Sequence, residues 1–184
     1  MSNRLALLNM VAICTAIHAA PAQAEIVEST YGGFASVRTA TVAADAQTVW
    51  RELLHPEYWW SHTWSDNSAN LSLHAQAGGC FCETIPATQD IPAGSVEHGR
   101  VLTIMPYRTL RLAGALGPLQ TEGLAGTLTV DLRSGEGGTQ IIWSYVIGGQ
   151  SRFDLGEMAD VVDQVQGEFL GGLVARLGGD ISAS

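Results

Sequence analysis

Residues 154–179 read DLGEMADVVDQVQGEFLGGLVARLGG, and this stretch decides the fold. Leu155, Met158, Val162, Val165, Phe169, Leu173 and Leu177 recur at three- and four-residue intervals. That spacing places them on one face of an α-helix. Asp154, with Glu157 three residues on, is a capping-box-like start, and Gly178-Gly179 is a stop. The predicted helix is long and apolar along one stripe, so it needs a surface to cover that stripe. It also carries Gly167, Gly171 and Gly172, each costing up to about 1 kcal/mol against alanine. Either these glycines let the helix pack closely on a sheet, or they leave room for a ligand.

The covering surface lies upstream. Ile141, Trp143, Tyr145 and Ile147 fall at every second position, and Leu128, Val130 and Leu132 alternate with Thr127, Thr129 and Asp131. Period two is the mark of a half-buried strand. The turn Gly135–Gly138 joins these two. Leu110 and Leu112, the run Val96–Met105 closed by Pro106, Phe81 before Pro86, and Leu71 with Leu73 before Gly78-Gly79 give earlier strands. Short turns between successive strands predict an antiparallel meander. Phe34–Val42 is a further strand. After it, Asp45 stands as N-cap before Ala46, Val49, Trp50 and Leu53, a short helix that His55-Pro56 ends. Pro56–Trp64 holds Tyr58, Trp59, Trp60 and Trp64 in a second short helix or a structured loop. The fold class is α+β: a curved antiparallel sheet of about seven strands wrapped on a long C-terminal helix, with two short helices after the first strand. Such a sheet rarely closes tightly on one helix, so a cavity is expected.

This order resembles the START-like helix-grip superfamily, SRPBCC, in the branch of heat-shock ATPase activators and polyketide-cyclase-like proteins. The matching residues are Val49-Trp50-Arg51-Glu52-Leu53-Leu54 running into His55-Pro56-Glu57, then Trp59-Trp60. They continue with Gly78-Gly79-Cys80-Phe81, Gly99-Arg100-Val101 leading to Pro106 and Leu110, and Gly138-Thr139. The resemblance spans about residues 34–177, and its specificity lies in the order and spacing of motifs that are individually weak. It implies a pocket for a hydrophobic ligand between sheet and helix. It implies no single reaction, because the fold hosts carriers, lipid-binding domains, cyclases and co-chaperone modules.

Ahead of this domain, residues 1–24 have the form of a secretory signal peptide. Arg4 precedes the apolar run Leu5–Ile17, and Ala22-Gln23-Ala24 sets the expected cleavage before Glu25. Residues 25–33 are then a lead-in and 34–180 the domain. The expected mature chain of 160 residues has eight Arg, no Lys and 18 acids, a net charge of −10. Its expected location is periplasmic or secreted, with no stable membrane anchor after cleavage. So acidic a chain lacks the cations that displace counterions from nucleic acid, and its composition is too apolar for disorder.

Strand parity supplies the candidate ligand-binding residues. Trp143 and Tyr145 share a face, as do Phe81 and Glu83. His98 and Arg100 share another with Leu102 and Ile104, unless the strand bends at Gly99. Trp60 and Trp64 are placed to roof an opening, and Phe169 and Leu173 face the sheet. The expected partner is a small hydrophobic or amphipathic molecule, with no metal and no cofactor. Two alternatives stand beside it: a cyclase- or hydratase-like enzyme using Glu83, His98, Arg100 and Tyr145, and a protein-interaction domain using the Trp-rich loop. Support for nucleophilic catalysis is thin, since no Gly-x-Ser-x-Gly elbow or phosphate loop occurs. His62 is a candidate base at the pocket mouth. Cys80 and Cys82, two apart on a strand, read first as two packed thiols. A regular strand holds such residues about 6.5–7 Å apart, at the edge of disulfide geometry. A disulfide, or a metal site with His74 or His98, is the other possibility.

Overall fold

The computed structural model describes residues 23–30 and 32–179. Its strands are β1 (Gln23–Thr30), β2 (Gly33–Val42), β3 (Leu71–Leu73), β4 (Cys80–Ile85), β5 (Gly94–Met105), β6 (Thr109–Ala113), β7 (Gly123–Gly135) and β8 (Gly138–Gln150). The helices are α1 (Ala46–Leu53) and α2 (Leu155–Arg176), with 3-10 turns at Pro56–Tyr58, Ser68–Asn70 and Gly117–Thr121. The expected α+β class and the long C-terminal helix are therefore present. All eight strands form one antiparallel sheet in the order β1-β2-β8-β7-β6-β5-β4-β3. Only β2 beside β8 breaks the chain order, and ten residue pairs from Gly33↔Gly148 to Val42↔Thr139 join them.

The lead-in expected over residues 25–33 is instead mostly strand. β1 pairs with β2 through Thr30↔Gly33. Glu25-Ile26-Val27-Glu28-Ser29-Thr30 is rich in β-branched residues but too short and uneven for parity to reveal it. The expected cleavage point falls within this strand, and residues 1–22 of the expected leader lie outside the described residues.

Local chemistry explains the element ends. Asp45 accepts from Thr48 N at 2.7 Å, and Asp154 accepts from Gly156 N at 2.8 Å, so both helices begin on a side-chain cap. Gly178, at φ +74°, ends α2 in the left-handed conformation that favours glycine. The inner sheet face buries Val101, Leu110, Leu112, Leu128, Val130, Leu132, Ile141, Trp143 and Ile147. α2 covers this face with Leu155, Ala159, Val162, Phe169, Leu170, Leu173 and Val174.

A polar clamp fixes where α2 lies. Asp163, buried on α2, accepts from Ser36 Oγ at 2.5 Å and from Arg38 Nε and Nη2 at 3.1 and 2.5 Å. This two-pronged pairing sets both position and rotation of the helix on β2. The helix glycines now have a reason. A Cβ at Gly167 would stand 2.6 Å from Arg38 Nη1, and one at Gly172 would overlap the Trp59 carbonyl oxygen. At Gly172 close packing on backbone requires glycine, and at Gly167 a side chain would press on the Arg38 guanidinium of the clamp.

Candidate functional site

Between the sheet, α2, the aromatic loop 60–68 and the 116–119 turn lies a cavity of about 810 Å³, open on one side. That volume suits a small organic molecule. Its walls are apolar where Trp60, Trp64, Leu116, Leu119, Met158, Val162, Val165 and Phe169 face it, and polar at His62, Asp66, His98, Tyr145 and Gln166.

The roof is built from aromatic stacking. The Trp60 ring lies parallel on Phe169, with centroids 3.5 Å apart, and meets Phe81 edge-on at 4.8 Å. Trp60 Nε1 donates to His62 O at 2.8 Å, so the indole packs in apolar surroundings with its polar edge satisfied. His62 Nε2 reaches Glu168 Oε2 on α2 at 2.7 Å, which ties loop to helix across the cavity mouth. Trp64 lies at the rim and is 54% exposed.

Behind the roof sits a buried acid. Glu83 on β4 is 1% exposed and accepts from Trp64 N at 3.0 Å, Ser65 N at 2.6 Å and His98 Nε2 at 2.8 Å. Burial works to raise its pKa, but the hydrogen bonds from Ser65, Trp64 and His98 outweigh it, leaving the carboxyl below its usual 4.5. A buried charge is tolerable only when paired and hydrogen-bonded, and here three donors meet that need. The two backbone donors belong to the roof, so this acid also folds the loop. Asp66, the next residue along the loop, lies in the left-handed region at φ +53°.

A bulge brings His98 to Glu83. Phe81 pairs with Gly99 while Cys82 pairs with Glu97, so β5 carries one extra residue there. Side-chain parity shifts across that point. His98 points inward, whereas Arg100 points out, its side chain 51% exposed and paired with Glu97. Arg100 also donates to Gly78 O at 3.0 Å. The expectation that Arg100 shares the cavity face is thus corrected: the strand does bend at Gly99. A second register shift between Val101 and Thr103 leaves Leu102 exposed as well.

Five of the ten expected residues line the cavity: Trp60, Trp64, His98, Tyr145 and Phe169. Phe81 and Trp143 stand one layer back, around a small apolar void beneath Trp60. Leu173 is wholly buried in the core. The Tyr145 hydroxyl is already engaged, accepting from Leu116 N at 3.0 Å and donating to Gly114 O at 3.1 Å. Burial pushes its pKa up to about 12, so it positions the 116–119 turn and is poorly placed to exchange protons. Gln166 was missed by the sequence reading, though its signal was visible. It is a polar residue four beyond Val162 and three before Phe169, inside the apolar stripe. Its Oε1 accepts from Trp143 Nε1 at 2.9 Å.

Cys80 and Cys82 form a disulfide, with Cα atoms 5.4 Å apart. This corrects the packed-thiol reading. The two Cα atoms stand closer than in a regular strand, beside the irregular register at Phe81/Cys82, and the bond leaves no thiolate for the metal alternative. Its sequence separation is only two. For so short a loop the chain-entropy expression gives about 1.6 kcal/mol. Reduction is therefore expected to lower the urea-unfolding free energy by no more than about that amount, and a loss above about 3 kcal/mol would mean that the bond shapes the native sheet directly.

No protein-family model matches the chain, and no curated protein matches it. Solved structures do share its architecture. An uncharacterized protein from Rhizobium leguminosarum aligns with TM-score 0.57 at 19% identity, over 86% of this chain and 99% of that one. A Staphylococcus aureus protein of unknown function gives 0.57 at 12%, over 79% and 94%. A Mesorhizobium loti protein gives 0.54 at 18%, over 78% and 95%. At such identities the likeness concerns fold. It defines this chain as an α+β domain of helix-grip architecture, one antiparallel sheet closed by a C-terminal helix.

Proposed function

We propose that this chain is an exported protein of the START-like, SRPBCC type that holds a small hydrophobic or amphipathic molecule between its sheet and α2. The observation that carries this reading is the cavity itself: about 810 Å³, with Trp60 of the loop stacked on Phe169 of α2 and Val162 and Val165 of the same helix beside it. An aromatic and aliphatic lining of that size gains free energy by excluding water with an apolar guest. Export rests on Arg4, the Leu5–Ile17 run and Ala22-Gln23-Ala24. Polar groups at His98 and Gln166 favour an amphipathic guest over a pure hydrocarbon.

The test is a titration with the neutral apolar dye N-phenyl-1-naphthylamine. The full chain is expected to bind one dye, and Val165→Trp, which places an indole in the cavity, to bind at least tenfold more weakly. Losing about 60 Å² of buried apolar contact corresponds to that factor. Equal binding by both proteins would place the dye elsewhere and sink the reading.

A further inference from the structure

Two polar side chains on the cavity wall each keep one atom unused by the protein. His98 is 3% exposed, and its Nε2 faces Glu83 Oε2. Glu83 as a carboxylate only accepts, so Nε2 carries the hydrogen of that bond. The second ring nitrogen, Nδ1, has no hydrogen-bond partner among the described residues. It is not sealed in, because no side-chain nitrogen or oxygen among those residues is both fully buried and unpartnered. His98 lines the cavity, and we infer that the remaining surface of Nδ1 opens there. A hydrogen on Nδ1 would meet no acceptor among the described residues, so the ring tautomer that suits these surroundings presents a lone pair to the cavity. Gln166 complements it. Trp143 occupies its Oε1, which turns the Nε2 group away as a donor with no partner among the described residues. Gln166 is 1% exposed and lines the same cavity.

We propose that His98 and Gln166 are the polar subsite for a hydroxyl-bearing apolar molecule, a phenol or an alcohol. Its O–H donates to His98 Nδ1, its polar head accepts from Gln166 Nε2, and its apolar body lies on Trp60 and Phe169. Glu83 is a positioning residue that fixes the imidazole tautomer, as a carboxylate does for the histidine of a Ser-His-Asp triad. This subsite rests on the ligand-binding reading above.

Two probes that share one ring system separate the claims: 2-naphthol, which can donate, and 2-methoxynaphthalene, which cannot. The wild-type chain is expected to bind 2-naphthol about five- to tenfold more tightly, the worth of one net hydrogen bond. In His98→Phe that preference is expected to vanish, the ratio of the two affinities falling to about one. Equal binding of both probes by the wild type overturns the subsite while leaving the cavity reading intact. Binding of neither probe overturns both. A ligand-free measurement covers the case in which His98→Phe does not fold. Long-range ¹H–¹⁵N NMR of the wild-type imidazoles should show His98 protonated on Nε2 and bare on Nδ1, and a hydrogen on Nδ1 overturns the acceptor role.

Discussion

Glu83→Ala is expected to lower the unfolding free energy by about 3–5 kcal/mol, since each buried donor left without its acceptor costs about 1–3 kcal/mol. Three donors lose their acceptor at once: Trp64 N, Ser65 N and His98 Nε2. Two of them belong to the roof loop, so the same change should loosen the loop before the whole domain unfolds. Urea denaturation followed by far-ultraviolet circular dichroism gives the global figure, and hydrogen exchange at Trp64 and Ser65 reads the local one. A loss below about 1 kcal/mol would mean that water replaces the carboxylate and that Glu83 does not organise the site.

The pH dependence has a definite sign. The folded carboxyl lies below its ordinary 4.5, so the unfolded chain takes up the proton first as pH falls. The contribution of Glu83 is fully present above about pH 4.5 and is lost as pH drops through the lower folded value. Asp45, held down by its bond from Thr48, and Glu122, held at about 2 by Arg152, act in the same direction. The difference between wild type and Glu83→Ala isolates Glu83, and it should shrink below pH 4.5.

Gly172→Ala is expected to cost about 2 kcal/mol, although alanine is the better helix former by about 1 kcal/mol. The new Cβ would overlap the Trp59 carbonyl oxygen, a backbone atom. Trp59 cannot easily give way. Its Nε1 donates to Glu52 O at 2.9 Å, and its ring meets Trp143 edge-on with centroids 5.9 Å apart. Overpacking of a fixed core typically costs 1–3 kcal/mol or more, which exceeds the propensity gain. Gly135→Ala, with open space around it, serves as the control and should stay within about 0.5 kcal/mol. If Gly172→Ala instead raises the thermal midpoint, α2 can retreat from Trp59 and its seating on the sheet is softer than the clamp at Asp163 implies.

What the sequence made legible follows from period. β8 alternates because one face is buried and the other is not, so Trp143 and Tyr145 could be placed inward from spacing alone. The α2 stripe located Phe169 and Leu173 in the same way. Parity failed on β5, where one extra residue at the bulge turned Arg100 outward; Gly99 hinted at the bend without fixing its direction. β1 escaped because eight residues with an irregular pairing to β2 show no clean alternation. The 116–119 side of the cavity escaped because a turn has no period at all. Gln166 was readable, as a polar interruption of an apolar stripe, yet only its bond to Trp143 shows why it is there. The disulfide needed a departure from regular strand spacing, which parity does not reveal.

Uptake of an apolar molecule into the space between sheet and α2 can be measured in solution. Fluorescence titration of N-phenyl-1-naphthylamine into wild-type chain and Val165→Trp, both checked for equal folding by circular dichroism, tests it most directly. Saturable one-to-one binding to the wild type is expected, with at least a tenfold loss in Val165→Trp. Binding of equal strength to both, or none to a folded wild type, would contradict it.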